Sequence, residues 1–389
     1  MHRVGQKTTM SKRNTLDTPD ARADWLAKEL ERAYLDARRG KTKKPEVEKF
    51  DAIAKSELTA LATEIHSRTY TPRPSTAFIV NKPVKREIFA AAFRDRVVHH
   101  FLFNQVSDWW DTRFIEDSYS CRLGKGTLYG IRRLDHHIRS VSRNYTRPVY
   151  VLQLDLQGYF MSLERKKLYA RAMWGLDRQF PDKGYVYQLC KFLWKVIIFN
   201  DPLKDAVFNC PRSAWKGLPP SKSLFHQPLG RGVAIGNLTS QLLSNIYLDQ
   251  LDRFVTLELG FKHYGRYVDD FYIVSTNKAE LLKATATIEQ YVNGRLALKL
   301  HPNKRHLQEC NKGVAFLGAV IYPHRIHPGK RLKRNLLATL SSEDCSVASE
   351  ASYRGLVKHY RHQKLLSGIK RGVKFCNFVP SSGVFSSIR

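Results

Sequence analysis

An Asp-Asp pair set between two half-strands, Tyr264-Gly-Arg-Tyr-Val-Asp-Asp-Phe-Tyr-Ile-Val274, constrains this chain more than any other stretch. β-Branched and aromatic residues on both sides of two acids predict a hairpin with a carboxylate pair at its tip. A further acid, Asp155, closes the apolar run Val149-Tyr-Val-Leu-Gln-Leu-Asp-Leu156. With that run on the adjacent strand, Asp155 lies beside Asp269, and the two can bridge divalent ions about 4 Å apart. Carboxylates suit Mg²⁺, two ions here with Mn²⁺ as a substitute, because such an ion keeps its other positions for water and phosphates. An isolated Asp-Asp is more often an ordinary turn, so the pair needs company.

Acids are scarce elsewhere. Against 65 Lys and Arg stand 35 Asp and Glu, a formal charge of +30 on 389 residues. With 43% hydrophobic and 11% aromatic residues the chain can bury a core, which excludes global disorder. Such an excess of positive charge makes nucleic acid the leading partner. The six cysteines show no C-x-x-C spacing, the N-terminus lacks an apolar signal core and no apolar run nears the length of a membrane span, so a cytoplasmic protein without membrane attachment is expected.

Helices are expected over 21–39 and 46–68, short strands over 76–80 and 85–89, and a helix through 96–102. From 147 to 322 the pattern becomes strands (149–156, 264–267, 271–274, 314–322) separated by helices near 165–176, 239–258 and 278–295. That reads as an antiparallel sheet covered by helices on one face, an α+β fold. Two basic helical patterns follow Lys330. The histidines His99-His100, His136-His137 and His324-x-x-His327 have no further ligands at useful spacing and read as backbone-binding or core residues.

Taken in order, these features resemble a reverse transcriptase of the right-hand polymerase family. Tyr267-Val-Asp-Asp270 is similar to its Y-x-D-D motif and Leu154-Asp-Leu-Gln-Gly-Tyr-Phe160 to its first palm motif. Gly232 to Leu248 is similar to motif B, Leu300-His-Pro-Asn-Lys304 to motif D, and Val314-Ala-Phe-Leu-Gly318 to the primer-grip hairpin. Upstream, Lys85-Arg-Glu-Ile-Phe, Phe93 to His100 and Ser118-Tyr-Ser-Cys-Arg122 resemble the fingers motifs. The match covers roughly residues 70 to 325.

The polar residues 1–20 read as a disordered basic tail; the resemblance implies N-terminal helices and fingers (21–145), a palm (146–328) and a small helical thumb (329–389). It implies catalytic roles for Asp155, Asp269, Asp270 and Lys304, and metal binding by Asp155, Leu156, Asp269 and Asp270. Lys304 would protonate the leaving pyrophosphate, or be a surface lysine. The dNTP would meet Lys85, Arg86, Leu156, Phe160, Ile235, Gly236 and Gln241. Arg86 suits a triphosphate clamp because guanidinium forks phosphate. Phe160 would bar a 2′-OH, its alternative being core packing, and Gln241 would reach the nascent base pair or cap a helix. Nucleic acid would be held by Arg94, Arg96, Arg122, Lys125, Phe316, Leu317, Gly318, Lys330, Arg334 and Lys358, through contacts that position without reading sequence.

Ile235-Gly-Asn-Leu-Thr-Ser-Gln241 is similar to diversity-generating retroelement enzymes, and defence-associated reverse transcriptases share much of the pattern. The first implies error-prone copying of a template-repeat RNA into cDNA with an accessory protein. The second implies copying of a linked noncoding RNA, or DNA addition without a template. An inactive RNA-binding scaffold is the lesser alternative, against which Asp155, Asp269 and Phe160 are all present.

Overall fold

The computed structural model describes residues 16–82, 84–340, 342 and 345–360. Three helices, α1 (Pro19–Arg38), α2 (Pro45–Asp51) and α3 (Ala54–His66), precede strands β1 (Thr76–Val80) and β2 (Arg86–Ala90). Helices α4 (Phe93–Asp111) and α5 (Thr127–Ser142) lead to β3 (Tyr150–Leu156), the single turn α6 (Tyr159–Ser162), α7 (Arg165–Gln179) and α8 (Tyr185–Phe199). Then come β4 (Val207–Phe208), α9 (Leu238–Arg253), β5 (Tyr264–Tyr267), β6 (Asp270–Ser275), α10 (Lys278–Gly294) and β7 (Leu300–Glu309). Strands β8 (Val314–Phe316), β9 (Ala319–Tyr322) and β10 (Arg325–Pro328) and helices α11 (Lys330–Leu340) and α12 (Val347–Val357) complete the order.

The fold is α+β. Its central antiparallel sheet runs β5-β6-β3-β7. Leu152, Leu154 and Leu156 of β3 face a core shared with α1, α4, α7, α9 and α10, while Val149 and Val151 join a second cluster with α5 and β8–β9. Both faces of the sheet are therefore covered, where sequence suggested helices on one. α9 lies so deep that Thr239, Ser240, Ser244, Asn245, Asp249 and Asp252 are buried with its leucines.

The single helix expected over 46–68 is two, α2 and α3. They separate at Ile53 (φ −122°, ψ 16°). Val47 and Phe50 of α2 turn into the core beside Phe93 of α4, while Leu61 and Ile65 of α3 pack toward α1, two directions a straight helix would not serve. The strand expected over 314–322 is a hairpin, reversed at Leu317 and Gly318, both with positive φ. β7 was not foreseen, because the edge run His301-Pro-Asn-Lys-Arg-His306 has no apolar alternation. Of the tail expected over 1–20, residues 1–15 lie outside the described residues and Pro19 and Asp20 already belong to α1, whose N-cap is Thr18. Residues 361–389 of the expected thumb also lie outside them.

Candidate active site

The β5–β6 hairpin closes through Val268 and Asp269, with Tyr267 opposite Asp270. Val268 has φ +57°, a left-handed conformation that costs a β-branched residue on the order of 1–3 kcal/mol. Something must hold it there. Arg266, fully buried, donates from Nη1 to the Val268 carbonyl at 3.0 Å. Its other nitrogens fork onto the equally buried Asp252 of α9, Nε to Oδ1 and Nη2 to Oδ2, both at 2.6 Å. Tyr264 Oη also donates to Asp252, at 2.7 Å. The backbone of Arg266 pairs with Asp117 and Tyr119, and the Leu156 amide donates to the Asp269 carbonyl at 3.3 Å. The carboxylate-bearing turn is thus fastened from beneath by an ion pair and from the side by β3.

The β3–β6 register sets Asp155 opposite Asp270. Asp155 is buried, Asp269 half-buried and Asp270 at the surface. Burial, and then the charge of Asp155, push Asp269 up to about 6. Asp270, though exposed, is raised as well, by partial desolvation first, then a hydrogen bond with Asp155 and the charge of Asp269. With the charge of Asp269 and Asp270 disfavoured there, the site gains from a cation among the carboxylates. From β7, Lys304 Nζ donates to Asp155 Oδ2 at 2.7 Å, and Arg86 is near enough for its charge to act on Asp269 and Tyr267. No group of three or more His, Cys, Asp or Glu able to hold a metal ion by itself occurs among the described residues. A carboxylate set of this kind suits Mg²⁺, which takes one or two carboxylates and completes its shell from water and substrate phosphates. The Leu156 side chain is buried in the core, which leaves only its backbone to face an ion.

Phe160 stands half-buried at the start of α6, next to Gly158 (φ +56°), with its carbonyl bound by the Val233 amide at 2.9 Å. The motif B loop is tied to β2: the Phe89 amide donates to the Ile235 carbonyl at 3.3 Å and the Ala91 amide to Asn237 Oδ1 at 3.2 Å. Gly236, at φ +122° with Ile88 Cγ2 3.1 Å from where a Cβ would sit, tolerates no side chain without strain. Gln241 projects from the first turn of α9 and is exposed, as is Arg86, while Lys85 Nζ is engaged by the Lys216 carbonyl at 2.7 Å. On the other side of the acids a cleft of about 400 Å³ is bounded by Asp155, Asp270, Lys304, His306, Phe316 and Leu317. Phe316 is itself buried, edge-on against Tyr272, and Gly318 at the hairpin tip is exposed.

Of the basic residues expected at nucleic acid, Lys330, Arg334 and Lys358 are exposed on or beside α11 and α12. Arg94, Arg122 and Lys125 are placed otherwise. Arg94 is buried and divided between Glu57 (2.7 Å) and Glu64 (2.6 Å). Arg122 binds Asp111 at 2.6 Å and the carbonyls of Ile115 and Ser118, and Lys125 is tied to Glu116. Their charges are spent on holding the N-terminal layer and the loop after α4 together, which leaves little to offer a phosphate. Arg96 is half-buried and paired with Glu46 at 2.9 Å. His99 is a core residue bonded to Thr239 Oγ1 at 2.7 Å, its pKa pushed down to about 4 by burial first.

Residues 85–321, more than half of the chain, match the family model described as reverse transcriptase (RNA-dependent DNA polymerase). Protein YkfC of Escherichia coli (strain K12) is 25% identical over 296 residues, which cover 67% of this chain and 70% of that protein. Among solved structures, apo telomerase from Candida tropicalis is similar with a TM-score of 0.45 and 13% identity, covering 78% of this chain and 60% of that one. Telomerase from Candida albicans in complex with a TWJ fragment of telomeric RNA gives 0.45 and 12%, covering 80% and 57%. This chain therefore spans less than two thirds of the telomerase chains it matches.

Proposed function

We propose that this chain, which belongs to the reverse transcriptase (RNA-dependent DNA polymerase) family, copies a cognate structured RNA into cDNA as the polymerase of a diversity-generating retroelement. The convergence of Asp155, Asp269 and Asp270 at a hairpin tip faced by Arg86 carries the polymerase reading. Asp155 and Asp269 would hold two Mg²⁺, with Asp270 in support. Bound there, the ions would make the primer 3′-hydroxyl a better nucleophile and neutralise charge on the leaving pyrophosphate.

The side chains divide the remaining work. Arg86 draws the triphosphate toward the acids. Gly236 lets the motif B loop lie close, and Gln241 meets the nascent base pair. Lys304, paired with Asp155 here, would be released to face the pyrophosphate if bound cations supplied the counter-charge instead. The β8–β9 hairpin supports the primer end across the cleft. Lys330, Arg334 and Lys358 take duplex phosphates. Lys330→Glu combined with Arg334→Glu should weaken template-primer binding on every sequence and flatten the dependence of log K on log salt by about 1 per charge removed, measured by titration at several salt concentrations.

Phe160 is assigned as the wall that rejects ribose. Phe160→Ala should raise rNTP incorporation relative to dNTP by roughly 10–100-fold in single-nucleotide addition; unchanged discrimination would return Phe160 to core packing.

Sequencing the cDNA tests the biological assignment. Errors concentrated opposite template adenines, with a co-expressed accessory protein, support diversity generation. Faithful copies of a noncoding RNA encoded alongside favour antiphage defence, and products unrelated to any RNA favour addition without a template.

A further inference from the structure

We propose that residues 203–229, between α8 and α9, form a strap that fixes the distance between the two sides of the nucleotide pocket, with Glu87 as its anchor and a positioning residue for Arg86. The proposal rests on the polymerase reading above.

Glu87 follows Arg86 on β2, and its side chain is fully buried. A carboxylate in that position must be satisfied by donors. It accepts three hydrogen bonds, all from the strap: Trp215 Nε1 at 2.6 Å, Ser223 Oγ at 2.7 Å and the Leu224 amide at 2.7 Å. On the other flank of Arg86, Lys85 Nζ donates to the Lys216 carbonyl at 2.7 Å. β4 extends the connection, pairing parallel to β1 through Thr76 and Val207 and through Ala77 and Phe208.

The strap's opposite side rests on the turn that carries Phe160. The Ser221 carbonyl oxygen lies only 2.4 Å from where a Cβ on Gly158 would sit, a fit that glycine alone permits. Leu224 packs equally closely on Gly232, whose amide donates to the Leu163 carbonyl just past α6. One segment thus bonds to the strand that carries the triphosphate clamp and abuts the turn that carries the sugar wall. Arg86 is held in place before a nucleotide arrives, so less ordering is left for the nucleotide to drive.

Steady-state dNTP titration in primer extension tests this with Glu87→Gln, which keeps one acceptor and loses the charge, and with the milder Trp215→Phe, which removes only the indole donor. Both should raise the dNTP KM, by about 10-fold for Glu87→Gln, with kcat within about 2-fold and template-primer affinity unchanged. Wild-type product with an unchanged dNTP KM in both variants overturns the strap and leaves the polymerase reading standing. KM, kcat and thermal stability falling off together in Trp215→Phe overturns it too, by showing a purely structural bond. Absence of product from the wild type overturns the polymerase reading instead.

Discussion

Asp269→Asn is expected to abolish nucleotide addition, by at least about 10³-fold, and at the same time to raise the melting temperature of the metal-free protein at neutral pH by a few degrees. The two effects share one cause. Asp269 titrates near 6 in the folded chain, above the 3.8 of an unperturbed Asp, because burial and then Asp155 disfavour its charge. Below about 4 the group is protonated in both states and costs nothing. Between about 4 and 6 the unfolded chain ionises first, so folding stability falls as pH rises, and the whole cost stands above 6. Discounted for partial exposure, it is on the order of 1–2 kcal/mol, and the neutral amide removes it. Mg²⁺ bound there would remove it by supplying counter-charge, so wild-type protein is expected to gain stability on Mg²⁺ addition, more at pH 7.5 than at pH 5, and activity at limiting Mg²⁺ should rise through pH 6. Differential scanning fluorimetry with and without Mg²⁺ checks this. A destabilised Asp269→Asn variant, with no Mg²⁺ response in the wild type, would sink the electrostatic account.

Asp252→Ala carries the second large effect. It leaves the Arg266 guanidinium buried without its counter-ion, at a cost of about 3–5 kcal/mol. A large loss of stability alone would say little about catalysis. The informative variant replaces both partners, Asp252→Leu with Arg266→Met. Exchanging a buried pair for apolar residues of similar volume returns most of the stability. It cannot return the bond from Arg266 to the Val268 carbonyl, so the turn relaxes from its left-handed conformation and Asp269 swings from its place beside Asp155. The double variant is therefore expected to be well folded by urea denaturation and still defective in nucleotide addition, with a raised Mg²⁺ requirement. Recovery of activity along with stability would reduce Arg266 to a structural residue.

The acids were readable from sequence because they are rare in a basic chain and interrupt apolar half-strands. Their bounded runs also set which strand each occupies, but not the register, which sets Asp155 opposite Asp270 rather than Asp269. Arg266 was not readable in the same way. An arginine inside a strand looks like a solvent-facing residue, and its partner, fourteen residues earlier on α9, is disclosed only when helix and hairpin pack. Glu87 was hidden likewise, one acid in a basic strand whose donors lie beyond residue 214. Arg94 and Arg122 show the complementary case. The resemblance of their stretches to the fingers motifs suggests nucleic-acid contacts, whereas Glu57, Glu64 and Asp111 pair with them in the folded chain. Periodicity recovered helices with one apolar face, such as α1 and α10, but not the break at Ile53, where two short faces serve different neighbours. The polar edge strand β7 escaped because hydrophobic alternation was its missing signal.

Extension of a labelled DNA primer on a defined RNA template, with dNTPs and Mg²⁺, by the wild-type chain and by Asp155→Asn side by side tests the polymerase claim most directly. DNA complementary to the RNA is expected from the wild type and none above background from the variant. Equal product from both proteins, or wild-type product whose sequence ignores the RNA, would contradict that claim.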